Sequence, residues 1–355
     1  MSLELIKKYQ EQVELGYVRQ VTNGDLILFN YTDKCTYDRA WNEYTRNARG
    51  IIFNSTTGEL IAKPFAKFFN LGEMPETTMS ALPVEPYGVY EKLDGSLGIV
   101  YHHGGKWNVA TRGAFCSEQA VKAEEILQKY ETDTLSKQYT YLVEIIYPGN
   151  KIVVNYGQEE SLVLLAIMHG ENELDFQDVT TAASYAEMPV TKRYDYTIEE
   201  MIELQKTMPK DQEGFVVRFA NGLRVKIKGH EYLKIHKMIS NMSPLSFWES
   251  MTDGVVNREY LAQLPEEFKQ DFEPMVEHLE LQYNEVLYAI KADIQKLPVK
   301  DVSSKENLKT IGIFTQNANS GLSHPGAIFP YLLNKPGALD KYVMKTIRPT
   351  GNILI

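Results

Sequence analysis

Two textures divide the chain, and together they restrict what it can fold into. Up to about residue 235, short β-branched or aromatic runs recur at Leu26-Ile27-Leu28-Phe29, Gly50-Ile51-Ile52-Phe53, 97–101, 141–146, 162–168, 214–219 and 223–227. Turn signals such as Asn23-Gly24, Thr57-Gly58, Gly104-Gly105, Pro148-Gly149 and Asn221-Gly222 separate them. Asn221-Gly222 between two strand-like runs is a strong hairpin signal. Helical stretches intervene at 117–130 and 197–208; the first opens on Ser117 and sets Val121, Ile126 and Leu127 on one side. Lacking regular βαβ spacing, the mixture predicts an α+β fold with antiparallel sheets. Beyond about residue 240 the strand patterns vanish. Met275, Leu279, Tyr283, Val286, Ile290 and Ile294 recur at helical spacing, and Pro274 suits a first helical turn. The prediction is two domains, 1–240 and an all-α C-terminal domain at 241–355.

Composition narrows the class. At 355 residues the chain has ample sequence for a sizeable core, and 43% hydrophobic with 24% charged residues is ordinary for a globular protein. The longest apolar run, 162–168, suits a buried strand and falls short of a membrane span. Met1-Ser2-Leu3-Glu4 lacks the basic and apolar regions of a signal peptide. Cys35 and Cys116 offer neither a disulfide framework nor metal-ligand spacing, so a reducing, cytoplasmic setting without membrane contact is expected. The formal charge of −10 argues against a nonspecific nucleic-acid binder. An enzyme with a local basic track remains compatible with it, because net charge averages such a track away.

Chemistry concentrates at Glu91-Lys92-Leu93-Asp94-Gly95-Ser96. Extended residues at i and i+2 share a face, so Lys92 and Asp94 can enter one pocket, and Gly95 turns the backbone without a Cβ. Alone, Lys-x-Asp-Gly arises by chance in roughly one chain of this length in ten. Three more clusters follow it. Glu144 interrupts an apolar strand, which is costly unless the charge is paired or metal-bound. Glu213-Gly214 stands at the mouth of another strand. In Leu223-Arg224-Val225-Lys226-Ile227-Lys228, Lys226 and Lys228 share one face. Upstream lie Arg46, Arg49 and the block Lys63-Pro64-Phe65-Ala66-Lys67-Phe68-Phe69-Asn70. Taken singly these are a surface lysine, a strand-end acid, the solvated face of an edge strand and core aromatics.

Taken in order, they resemble the covalent nucleotidyltransferase superfamily of ATP-dependent ligases and mRNA capping enzymes. Lys92 to Gly95 resemble motif I, Glu144 motif III, Glu213-Gly214 motif IV, and Lys226-Ile227-Lys228 motif V. Phe29-Asn30-Tyr31, Ala48-Arg49-Gly50-Ile51, Lys67-Phe68-Phe69-Asn70 and Ser96-Leu97 make the group of bacteriophage T4 RNA ligase 1 the nearer resemblance. It covers roughly residues 25 to 235. It implies a nucleotidyltransferase fold of ATP-grasp-like antiparallel sheets with flanking helices. It also implies an ATP-dependent RNA ligase that joins 3′-hydroxyl and 5′-phosphate RNA ends, in RNA or broken-tRNA repair, as a monomer. The C-terminal domain would then be an RNA-specificity module. DNA ligases and capping guanylyltransferases usually carry a β-barrel after motif V, where this chain turns helical. Intact motif residues speak against an inactive RNA-binding relative.

The resemblance assigns roles. Lys92 would attack the α-phosphorus of ATP, and only its free amine is nucleophilic. Lowering a lysine by three units from about 10.4 corresponds to roughly 4 kcal/mol, and nearby cations and burial push that way. Lys226 and Lys228 would hold the α-phosphate and the transition state. Asp94 would serve with them, and with Glu144 and Glu213 would organise Mg²⁺ (or Mn²⁺) through oxygen ligands. Arg46, Lys63 and Lys67 are candidates for triphosphate contacts, Arg49 is the rival of Arg46, and Arg112 is a phosphate or ribose candidate. Glu91 and Gly95 complete the nucleotide contacts, with adenine against residues near Glu91 or 162–168. Phe69 and His102, His103, His169, His230 and His236 read as structural, and the acidic residues Glu266, Glu267, Asp271, Glu273, Glu277, Glu280 and Glu285 as a solvated face. Lys335, Lys341, Lys345 and Arg348 make the last part more basic, with RNA contact and a solvated surface both open.

Overall fold

The computed structural model describes residues 2–240, 242–259 and 266–350. The chain forms two compact units, Met1–Lys234 and Ile235–Ile355. In the first unit, helix α1 (Ser2–Glu14) precedes a hairpin of β1 (Val18–Asn23) and β2 (Leu26–Tyr31). Gly24 turns that hairpin at φ +60°, a conformation glycine adopts without steric cost. Helices α2 (Asp33–Tyr37) and α3 (Glu43–Asn47) follow, then β3 (Arg49–Asn54) and β4 (Leu60–Ala62), which complete a sheet ordered β1-β2-β3-β4. Ile6 and Tyr9 of α1 pack on Ile27, Phe29 and Phe53 of this sheet.

The chain continues through β5 (Phe69–Asn70), β6 (Tyr87–Lys92), β7 (Ser96–His103), β8 (Lys106–Thr111) and helix α4 (Glu118–Leu127). Next come β9 (Thr140–Ile146), β10 (Ser161–His169), β11 (Asn172–Glu173), helix α5 (Phe176–Ala186) and β12 (Arg193–Tyr194). Helix α6 (Ile198–Thr207), β13 (Gly214–Phe219), β14 (Arg224–Lys228) and helix α7 (His230–Ser240) follow. The strands build two five-stranded sheets, β11-β10-β9-β7-β8 and β12-β6-β13-β14-β5. Every pairing is antiparallel except β5 against β14. The α+β, antiparallel expectation holds, and Asn221-Gly222 turns the β13–β14 hairpin as its sequence implies.

β9 is buried on both faces. Tyr141, Val143 and Ile145 pack beneath α4 and α5 with Ala123, Ile126, Val179 and Ala183. Leu142 faces the other way, against Leu28 and Ile52 of the first sheet. Ser117 caps α4 by accepting from the Ala120 amide. The buried side of α4 is Ala120, Ala123, Ile126 and Leu127, while Val121 is 51% exposed. Val121 therefore falls outside the apolar face expected of it: one residue past Ala120 is a rotation of about 100° around the helix. Thr197 and Glu200 form a capping box on α6, whose Ile198 and Met201 cover Val217, Phe219, Val225 and Ile227.

The second unit is helical: α8 (Pro244–Glu249), α9 (Glu266–Gln295), α10 (Lys305–Gln316), α11 (Ile328–Leu332) and α12 (Ala338–Thr346). Pro274 does not open α9 but lies inside it, on its exposed side, where the missing amide faces water. The buried face is Val276, Leu279, Tyr283, Ile290 and Ile294, with Met275 and Val286 half-buried. Ile294 packs with Leu297, Ile311 and Ile328. Of the acidic residues, Glu273, Glu277 and Glu285 are exposed. Glu280 instead accepts from the Val256 amide and pairs with Arg258 at 2.9 Å. The side chains of Glu266, Glu267 and Asp271 lie outside the described residues. Lys335, Lys341 and Lys345 are exposed, and Arg348 lies over the Trp248 ring at 5.3 Å. No described helix is long and apolar enough to cross a membrane.

The doubly covered β9 sets a stability prediction. Leu142 is 0% exposed, so Leu142→Ala should cost about 2–5 kcal/mol through lost burial and a residual cavity. Urea unfolding should show the midpoint falling at unchanged slope.

Candidate active site

Strand register assembles the motif residues. Gly214 of β13 stands opposite Lys92 of β6 and Lys228 of β14. Two positions on, Val216 stands between Tyr90 and Lys226, and two further on, Arg218 stands between Gly88 and Arg224. Residues two apart share a face, so these make three parallel rows on one side of the sheet. Gly214 is required where it sits. Its φ is +144°, and a Cβ there would lie 2.1 Å from the Ile227 carbonyl oxygen. The tight passage sets Glu213 against both flanking strands.

Lys92 Nζ donates to Glu213 Oε2 at 2.7 Å, and Lys228 Nζ lies 2.7 Å from Glu213 Oε1. Glu213 is only 4% exposed, so one buried carboxylate bridges two ammonium groups. Burial works against a charged Lys92. The charges of Glu213, Glu144 and Asp94 and the Glu213 hydrogen bond outweigh it and hold Lys92 above its ordinary value. A nucleophile already lowered by its cationic neighbours, the expectation from sequence, is thus not what this arrangement presents.

Asp94 is 3% exposed. Its Oδ2 accepts from the amides of Val153 and Val154, both at 2.8 Å, and its Oδ1 from the Tyr232 hydroxyl at 2.7 Å. The Asp94 amide donates to the Tyr156 hydroxyl at 3.0 Å. Glu144 Oε1 accepts from the Gly95 amide at 2.9 Å. A Cβ on Gly95 would lie 2.6 Å from the Ile145 carbonyl oxygen, so glycine is needed for this approach. Burial, with help from the Glu213 charge and against Lys92, pushes Glu144 up to about 7. Among the described residues, no three His, Cys, Asp or Glu side chains converge as a metal-binding group. The three acids proposed for the metal differ in how they are held: Glu144 is bonded through Oε1. Asp94 has both oxygens engaged by protein donors, and Glu213 has both engaged by lysines.

The cations fall into two classes. Lys226 is pushed down to about 7, by burial and then by the charges of Lys67, Lys228 and Lys92, and it lies over the Phe68 ring at 5.7 Å. Arg49 also lies over Phe68, at 5.6 Å, and its buried Nη1 has no hydrogen-bond partner. Burial lowers the Arg49 guanidinium as well. Arg46, by contrast, is bound to Glu76 at 2.6 Å, and Lys63 is paired with Glu171. Lys67 sits over Tyr31, Trp41 and Phe69 at 5.3–5.7 Å. Arg112 donates to the Tyr31 hydroxyl at 2.7 Å. The geometry separates the two rivals: Arg49 lines the pocket described next and Arg46 does not. Lys63, Lys67 and Arg112 are not on its wall either.

That pocket, of about 190 Å³, lies between the two five-stranded sheets. Lys92, Gly95, Glu144 and Arg49 are on its wall together with Glu91. Leu165, Leu174, Phe176 and Val216 give it apolar surface, and Glu173, Arg218 and Arg224 also line it. Leu165 interrupts the otherwise buried run of β10 and sits where the register shifts between Leu164 and Ala166. A bulge of this kind re-aims a side chain. Both neighbourhoods named for adenine, Glu91 and 162–168, thus reach the pocket. Sequence reasoning missed Glu173, Arg218 and Arg224, and also Phe68, Tyr156 and Tyr232. Arg224 was in phase with Lys226 and Lys228 on one face, a signal that was available. Glu173 sits on the two-residue strand β11, too short to leave a pattern.

Comparison with known proteins accords with this geometry. The family model of T4 RNA ligase 1, described as RNA ligase, matches residues 47–233, more than half of the chain. A provisionally named bifunctional polynucleotide kinase/RNA ligase of Autographa californica nuclear polyhedrosis virus is 27% identical over 68% of this chain and 38% of its own length. A provisionally named RNA ligase of Thermovibrio ammonificans is 27% identical over 66% of this chain and 64% of its own. The chain therefore spans less than two thirds of either relative. A solved archaeal ATP-dependent RNA ligase aligns over 88% of this chain and 89% of that one, at a TM-score of 0.50 and 13% identity, a likeness of fold. By the match across residues 47–233, which takes in all the motif strands, the chain belongs to the RNA ligase family.

Proposed function

We propose that the chain is an ATP-dependent RNA ligase working through a lysyl–AMP intermediate. One observation carries the reading. Lys92 and Arg49 lie on the wall of a pocket between two sheets, and Lys226, off that wall, is close enough to feel the charge of Lys92. Neither Arg49 nor Lys226 has a carboxylate in contact among the described residues, and a triphosphate would supply the missing counter-charge.

Phosphoryl transfer is mostly positioning and neutralisation of charge. ATP lays its phosphates against Lys226, Lys228 and Arg49 while the base enters between the sheets. Glu213, 2.7 Å from Lys92 Nζ, receives a proton from it. The amine then attacks the α-phosphorus: an N–P bond forms, the P–O bond to the β-phosphate breaks, and pyrophosphate leaves with the electron pair. A 5′-phosphate oxygen of RNA next takes the adenylyl group, and the electron pair of the N–P bond returns to Lys92. Attack of a 3′-hydroxyl on that activated phosphate seals the strand and releases AMP. Mg²⁺ is expected to arrive as the ATP complex, with Glu144, bonded here through Oε1, as a pocket carboxylate that could meet it. RNA with 5′-phosphate and 3′-hydroxyl ends, such as broken tRNA, is the substrate proposed, with the helical unit selecting among RNAs. Lys67 and Arg112, off the pocket wall, remain candidates for outer phosphates.

Incubation with Mg²⁺ and α-labelled ATP or GTP tests this directly. Covalent label is expected from ATP and is expected to vanish in Lys92→Ala. Label from GTP alone would favour a capping-type guanylyltransferase, and absence of label from both would overturn the reading. Sealing of nicked duplex DNA, but not of single-stranded RNA ends, would overturn the RNA assignment.

Lys226 gives a proton-linked prediction. Free, it titrates near 7; against a phosphate its ammonium form is favoured and its pKa rises. At pH 8 the free side chain is mostly neutral, so ATP binding should take up close to one proton. At pH 6 it is already charged, and uptake should fall toward zero. Titration calorimetry in two buffers of different ionisation enthalpy measures this, and Lys226→Met should abolish the uptake at pH 8.

A further inference from the structure

We propose that Glu173, clamped between Arg218 and Arg224, reads the hydrogen-bonding edge of the base and sets the preference for adenine. This rests on ATP being the nucleotide bound. The row of Arg218 and Arg224 lies four positions along the strands from the row of Lys92 and Lys228. At 3.3 Å per residue that is about 13 Å, the order of the distance from a nucleotide's α-phosphate to the far edge of its base. A nucleotide with its phosphate at Lys92 therefore presents that edge to Glu173, which lines the same pocket.

The cluster is held firmly enough to read a base. The Glu173 side chain is 13% exposed; its Oε1 lies 3.2 Å from Arg218 Nε, and both its oxygens accept from Arg224 Nη2. Arg224 in turn lies over the Phe65 ring at 4.2 Å, which fixes its plane. A carboxylate only accepts, whereas a guanidinium only donates. Arg218 Nε is buried and makes no hydrogen bond of good geometry. Glu173 thus offers the pocket further acceptor capacity on its carboxylate, beside the Arg218 guanidinium, which only donates. Adenine presents the complement, a 6-amino donor next to the N1 acceptor. Guanine reverses it, with a 6-oxo acceptor beside an N1–H donor, so its oxo group would face the Glu173 carboxylate. Sites that hydrogen-bond a specific polar group reject analogues that lack it.

The test compares α-labelled ATP with α-labelled purine riboside 5′-triphosphate, in which hydrogen replaces the 6-amino group. In the unaltered protein, the analogue should need about 10- to 100-fold higher concentration for half-maximal Lys92 labelling, the range for a hydrogen bond to a charged group. The rate at saturation should be nearly unchanged. In Glu173→Ala the two nucleotides should become equal within about twofold, because the reading group is gone from both. Glu173→Gln, whose amide can also donate, should narrow the preference for ATP over GTP. Equal half-saturation by ATP and the analogue in the unaltered protein overturns the proposal while leaving lysyl–AMP formation standing, and that arm needs no variant to fold. Should no nucleotide label the protein, the adenylylation reading falls. Equilibrium binding of the same two triphosphates then decides base reading on its own, by the same ratio.

Discussion

The site is organised around one carboxylate, that of Glu213, shared between two lysines. With 4% exposure, it forgoes hydration that two short ion pairs replace. Removing one partner from such a buried pair leaves an uncompensated charge and costs far more than the pair's net worth. Here the loss of Glu213 would strand two ammonium groups at once. The backbone answers to the same constraint. Gly214 passes Ile227 at a distance no side chain tolerates, and in doing so seats Glu213 between β6 and β14. The Glu-Gly pair is thus one device: the glycine makes the approach and the glutamate uses it.

Asp94 performs a parallel service for the turn that follows Lys92, the proposed nucleophile. Two amides and a phenolic hydroxyl converge on its carboxylate, while the Tyr156 hydroxyl receives its own amide proton. The Gly95 amide is fixed in turn by Glu144. Lys92 is therefore the movable end of a segment whose next three residues carry two buried anchors. A nucleophile needs freedom in its side chain and rigidity beneath it, and the Lys-x-Asp-Gly spacing separates those demands into adjacent residues. Asp94 supports Lys92 through the backbone rather than by pairing with its amine.

How much of this was legible follows from which interactions leave a periodic trace. The α+β class, the β13–β14 hairpin and the buried β10 could be read, because alternation, turn residues and apolar runs are local. So could the shared face of Lys226 and Lys228, since a period of two predicts it. The partner of Lys92 could not: Glu213 lies 121 residues away in sequence, and only the register of three strands brings it close. Assigning the three acids to a metal counted carboxylates without the long-range donors that hold Asp94 and Glu213. Arg46 and Arg49 sit three apart on opposite sides of a helix end, and the choice between them depended on Glu76 capturing Arg46. Pro274 misled because a proline tolerated in an exposed helix interior has the same local sequence as one at a helix start.

The electrostatics of the site also bear on how the proposed chemistry would begin. Lys92 is kept charged by the carboxylates around it, and Lys226 is pushed down to about 7 by burial and then by neighbouring cations. In the proposed reaction each would have to change state. A triphosphate adds negative charge to this cluster, which favours the ammonium form of Lys226 and competes with Glu213 for Lys228. On the proposed reading, one ligand would thereby couple the readiness of Lys92 to attack to the presence of the group attacked. The overall charge of −10 is no obstacle, because the field at a site is set by the charges within a few ångströms, here Arg49, Lys67, Lys226 and Lys228 beside the site's own acids, more than by the chain's total.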